Sequence, residues 1–140
     1  MQQFDFLLGE WMLEYHIPQS ALSEATKGNG RGIFKRALDD KYVFFDYYSQ
    51  FGETKTHAHA VYFRDEKTPF YKVFWFESSG NYNSGTCNFI NENTLFINWN
   101  DSLLIQTFQK QSDDKIVLRM ENPDKNGKFE PVMEVILIRQ

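Results

Sequence analysis

Two histidines one residue apart, His57 and His59, are the clearest chemical signal in the chain. Alternate residues of a β-strand share a face and recur every ~6.5 to 7 Å, so a strand here would project both imidazoles the same way. Two neutral imidazoles can begin a metal or haem site, supply polar contacts to a ligand pocket, or stand on a surface. A metal needs further ligands. The third histidine, His16, falls on the strand face opposite Trp11, Leu13 and Tyr15. The pair is therefore read as inward-facing polar groups of a pocket, with no metal and no resident cofactor expected.

Glu77 and Glu134 are the candidate carboxylates. Either could act as an acid or base if burial raised its pKa; the plainer reading pairs them with Arg36, Arg64 or Arg119. Cys87 has no histidine tied to it by spacing, and it reads as a small buried hydrophobe. A single cysteine also excludes an intrachain disulfide framework. Gly28-Asn29-Gly30-Arg31-Gly32 is rich in glycine, but it lacks the helix and the Lys-Ser/Thr ending of a phosphate loop. Those glycines fit close backbone approach or bending at a barrel corner.

The elements that must position these residues are short, aromatic or β-branched runs between turn clusters. Ten strands are expected, over residues 9–17, 30–38, 42–49, 56–64, 70–77, 82–89, 94–99, 103–110, 116–121 and 130–139. Gln3 to Leu8 suits one helical turn plugging a barrel end, and Gln19 to Asn29 suits a lid or loop over the mouth. Hairpin-length turns point to an all-β, closed, up-and-down antiparallel barrel, because closure removes exposed strand edges. No linker or repeat appears, so residues 1–140 are read as one domain.

Composition agrees. Aromatic residues make up 17% of the 140 residues, enough to fill a barrel or line a pocket. A net charge of −4 argues against nucleic-acid binding, which needs clustered Lys and Arg. No apolar run approaches the ~20 residues of a membrane helix, and no leader pattern follows Met1, so a cytoplasmic protein is expected.

Leu7-Leu8-Gly9-Glu10-Trp11 carries a Gly-x-Trp at the start of the first strand. Gly30 and Gly32 follow in the second, Leu38-Asp39-Asp40-Lys41-Tyr42 at a turn, Tyr71, Trp75, Glu77 and Gly80 in the middle, and Glu134 and Arg139 in the last strand. Together these resemble a bacterial family of lipocalin-like barrels of unknown function, within the calycin superfamily that also holds fatty-acid-binding proteins. The resemblance implies a Trp packed across the closed end and an internal pocket, but no reaction. Arg119 and Arg139 lie late in the chain, where barrels of the fatty-acid-binding type place carboxylate-binding arginines, which implies an anionic head group; against it, Arg119 alternates onto the face opposite Ile116, Leu118 and Met120.

The leading functional reading is a non-catalytic barrel binding a small hydrophobic or amphipathic molecule. Its wall would hold Tyr15, Phe34, Phe44, Tyr48, Trp75 and Trp99, with His57, His59, Glu77, Arg119 and Glu134 as polar contacts. After it come an isomerase or hydrolase using the histidines with Glu77 or Glu134, a homodimer joined by outward aromatics, and a haem or metal binder. A barrel whose aromatics filled it completely would remove the first reading.

Overall fold

Aromatic and β-branched runs favour the pleated, half-buried surface of a sheet, and here they build ten strands that close on themselves. The computed structural model describes residues 1–20 and 24–140. After a 3₁₀ turn (Gln2–Leu7) come β1 (Gly9–Ile17), β2 (Thr26–Ala37), β3 (Tyr42–Phe51), β4 (Thr54–Arg64) and β5 (Tyr71–Glu77). β6 (Tyr82–Asn91), β7 (Thr94–Trp99), β8 (Ile105–Ser112), β9 (Lys115–Pro123) and β10 (Phe129–Arg139) follow. Each strand pairs antiparallel with its neighbours in sequence, and β10 returns to pair with β1, giving the closed up-and-down barrel.

β1 and β7 occupy the spans expected from the sequence. β2 differs, beginning at Thr26 because Thr26 to Asn29 pair with Ile17 to Glu14 of β1. That part of the expected lid is therefore sheet. Ala21 and Leu22 of the same expectation lie outside the described residues.

One end of the barrel is packed shut. Phe4, from the 3₁₀ turn, sits among Tyr62, Tyr71 and Phe89 at ring separations of 5.6, 5.1 and 4.9 Å. Trp11 lies across this end, fully buried, and its indole N–H donates to the Leu7 carbonyl at 2.7 Å. Arg139 clasps the plug from β10. Its guanidinium stacks over Trp11 at 4.2 Å and donates to the carbonyls of Leu8 (2.6 Å), Phe6 (3.2 Å) and Asp113 (2.8 Å). Gly9 makes room for it: φ is +121°, and a Cβ there would meet Arg139 Nη1 at 2.6 Å. The Gly-x-Trp motif thus works as a unit, its Gly admitting the Arg and its Trp receiving the Arg on its ring.

Along β2, Gly28, Gly30 and Gly32 present a bare inner face. A Cβ on Gly30 would stand 2.0 Å from the Tyr48 carbonyl oxygen of β3, so the two backbones bend together more tightly than any side chain permits.

Arg139→Ala removes a cation–π contact and leaves three carbonyls without their charged donor. We expect a loss of about 2–4 kcal/mol in urea unfolding, with Arg139→Lys recovering little because an ammonium cannot reach several carbonyls in a planar fork.

Candidate ligand-binding site

Among the described residues, the far half of the barrel is not filled. Beyond the packed end lies a cavity of about 350 Å³, opening between the loops that join β3 to β4, β5 to β6 and β7 to β8. Its inner part is apolar, walled by Leu13, Phe45, Ala60, Tyr62, Phe108 and Leu118, among others. Polar atoms gather nearer the mouth, from Ser49, Glu77 and Asn83, with Tyr15, Tyr47, Trp75, Trp99 and Gln106 between.

Most of these polar groups are already organised. The Trp75 indole N–H donates to the Tyr47 hydroxyl at 2.8 Å, and that of Trp99 donates to Gln106 Oε1 at 3.1 Å. Both indole donors are therefore satisfied within the wall. Glu77 closes the β5–β6 turn: its Oε1 accepts from the Ser79 hydroxyl and from Asn81 Nδ2 at 3.4 Å. Both bonds end on Oε1, leaving Oε2 its acceptor capacity.

Burial keeps the tyrosines neutral. It pushes the Tyr47 hydroxyl up to about 12, with the Trp75 hydrogen bond opposing and the nearby Glu77 charge adding to the rise. Burial also raises Tyr15, helped by Tyr47, and raises Tyr62 well above the usual phenol range. The Cys87 thiol, buried in the core, is pushed up to about 12 by desolvation, which makes it a poor nucleophile.

The residues singled out from the sequence divide between the two surfaces of the barrel. Tyr15, Trp75, Glu77 and Trp99 line the cavity. Phe34 points inward but belongs to the packed half, stacked on Phe45 at 3.8 Å and edge-on to Phe108 at 5.9 Å. His57 and His59 face outward, contrary to expectation, because Ala58, Ala60 and Tyr62 take the inner face of β4. They donate from Nε2 and Nδ1 to one oxygen of Asp46, at 2.9 and 3.3 Å.

Phe44 and Tyr48 are also outward, since Val43, Phe45, Tyr47, Ser49 and Phe51 face in from β3. Phe44 rests edge-on to His59, and the Lys55 ammonium lies 4.2 Å over Tyr48. Arg119 and Glu134 pair with each other on the outer wall at 3.2 Å, both about two-fifths exposed. Such a pair contributes at most about 1 kcal/mol and presents no cation to the cavity. Arg139 is committed to the closed end. Neither late arginine therefore meets an anionic head group inside.

Sequence reasoning missed Tyr47, Ser49, Phe51, Asn83, Gln106, Met120 and Met133 on the cavity wall. One signal was available: Asp46 sits midway along β3, and placing that carboxylate outside puts Tyr47 inside.

No protein-family model and no curated protein matches the chain. Among the solved structures that share its architecture are three of low sequence identity. Rv2717c from M. tuberculosis is 10% identical, with 99% of this chain and 96% of that one covered and a TM-score of 0.69. The S-type phycobiliprotein lyase CPES from Guillardia theta is 11% identical, covering 99% and 91%, with a TM-score of 0.63. A de novo designed fluorescence-activating β-barrel is 11% identical, covering 100% and 99%, with a TM-score of 0.56. At these identities the likeness is one of fold. Among the described residues, no helix is long and apolar enough to cross a membrane.

Below pH 10 the tyrosines are protonated in both folded and unfolded chains, so they leave stability unchanged. Above pH 10 the unfolded chain ionises while Tyr47 stays neutral until about 12, so stability falls across that interval. A thermal-denaturation series from about pH 8 to about pH 12 should show this fall, with a shallower slope for Tyr47→Phe. At neutral pH that variant should lose about 1 kcal/mol, because the Trp75 N–H loses its acceptor.

Proposed function

We propose that the protein is a non-catalytic binding barrel of the calycin-like type, holding one small, largely apolar molecule in its open half. The unfilled cavity carries this reading. An engineered cavity of ~150 Å³ accepts a benzene ring, so about 350 Å³ suits a ligand of roughly two to three rings. Apolar depth with polar atoms gathered near the mouth is the usual form of such a site. The sharing of this fold by a phycobiliprotein lyase and by a designed fluorescence-activating barrel is in keeping with it.

The catalytic alternative has less support: His57 and His59 meet Asp46 on the outer wall and not Glu77. The pair His16 and Glu134, opposite each other across β1 and β10, is not part of the cavity wall. Glu77 and the neutral tyrosines can hold a ligand through hydrogen bonds without any proton leaving them.

N-phenyl-1-naphthylamine, uncharged at pH 7 and fluorescent in apolar surroundings, should bind saturably at one site per chain. Ala60→Phe, which places a ring in the cavity between Phe45 and Trp75, should weaken it at least about tenfold, with far-ultraviolet circular dichroism unchanged. Binding that survives the substitution would place the probe elsewhere.

Self-association is a second reading, favoured by the outer wall. Phe44, Val61 and Phe74 lie in register across β3, β4 and β5, and Phe63 stacks on Phe74 at 5.7 Å. Phe74, Phe76 and Tyr82 are 41%, 51% and 76% exposed, a clustering of large apolar groups that marks contact surfaces. Light scattering should then report a dimer that Phe76→Lys dissociates; a monomer at high concentration removes this reading.

A further inference from the structure

The cavity wall carries an uneven charge. Among the described residues, no Lys, Arg or His lines it, and Glu77 is its one carboxylate. From this we infer that the site selects organic cations, amphipathic amines above all, and discriminates against carboxylates; the inference rests on the binding reading above. An anion entering would lose its hydration, find no counter-charge, and meet Glu77 at the mouth. The indole N–H groups that might have solvated it are spent on Tyr47 and Gln106.

A cation meets the opposite arrangement. Oε2 of Glu77 is available to accept a charge-assisted hydrogen bond. Trp75, Trp99, Tyr47 and Tyr15 line the same space, and aromatic rings attract an ammonium through the negative faces of their quadrupoles. The apolar body of such a ligand would occupy the deeper part, against Phe45, Ala60 and Phe108. The site thus recognises a positively charged head at the mouth and a ring-sized apolar body below it. That is the reverse of a barrel using buried arginines to hold fatty acids.

The test is competition against bound N-phenyl-1-naphthylamine at pH 7 and low salt, using three molecules with one naphthalene body: 2-naphthylmethylamine, 2-naphthalenemethanol and 2-naphthoate. We expect the amine to compete about tenfold more strongly than the carboxylate, with the alcohol between. In Glu77→Gln the amine-to-carboxylate ratio, referred to that variant's own probe affinity, should shrink to about threefold or less. Raising salt toward ~0.5 M should narrow the ratio in the unaltered protein as well, a readout independent of how the variant folds.

A carboxylate that competes as well as the amine, or a preference untouched by both Glu77→Gln and salt, overturns the inference while probe binding keeps the cavity reading intact. Absence of probe binding to the unaltered protein overturns the cavity reading, and this inference with it.

Discussion

The bare inner face of β2 is the constraint on which the rest of the barrel depends. Gly28, Gly30 and Gly32 leave no side chains between β2 and the rings that lie over it, so Phe45 and Phe51 of β3 rest against backbone. A Cβ at Gly32 would stand 2.5 Å from the Phe45 ring, and one at Gly28 would stand 2.6 Å from the Phe51 ring. Phe34 stacks on Phe45 at 3.8 Å in the packed half, and Phe45 and Phe51 also wall the cavity, so the glycines of β2 set how far back that wall can lie.

Polar groups sort themselves between the two sides of the wall by what each costs to desolvate. Charges that can reach water are outside: Asp46 with its two imidazoles, and Arg119 with Glu134. Inside stand groups that are neutral in the fold, tyrosine hydroxyls, amides and indoles, most of them bonded to one another, which is how buried polar groups avoid the desolvation penalty. Glu77 is the exception, and it sits at the mouth, where a turn supplies donors and water is close.

The architecture was legible in the sequence because turn clusters punctuate nearly every strand; Asn91-Glu92-Asn93 before β7 and Pro18 after β1 mark ends that the structure keeps. Which face turns inward was legible only where the two faces differ. β1 sets Trp11, Leu13 and Tyr15 against Met12, Glu14 and His16, and it reads correctly. On β3 and β4 both faces are aromatic or apolar, because the outer wall there is itself a hydrophobic surface. Hydrophobic alternation alone then has no sign, and Asp46 is the one charged marker of the outer face on β3. A one-residue choice moves every side chain to the other side of the wall. His57 and His59 were drawn inward on that choice. Small residues take the inner positions, Ala58 between Tyr47 and Glu77 and Ala60 between Phe45 and Trp75.

The clasp of Arg139 on the N-terminal turn has a consequence for how the barrel assembles and how it can be handled. The bonds to Leu8 and Phe6 join positions 131 and 133 residues apart, and the β1–β10 seam spans nearly the same separation. Closure therefore waits on the longest loop in the molecule, which makes for slow, concerted folding with little native structure retained by a fragment lacking either seam strand. Both chain ends also meet at the plugged end, where the Gln140 N–H bonds to the Glu10 carbonyl. A fused domain or a surface linker at either terminus would project away from the mouth, leaving the opening free, and a short peptide joining the two ends would let new termini be cut into any of the loops.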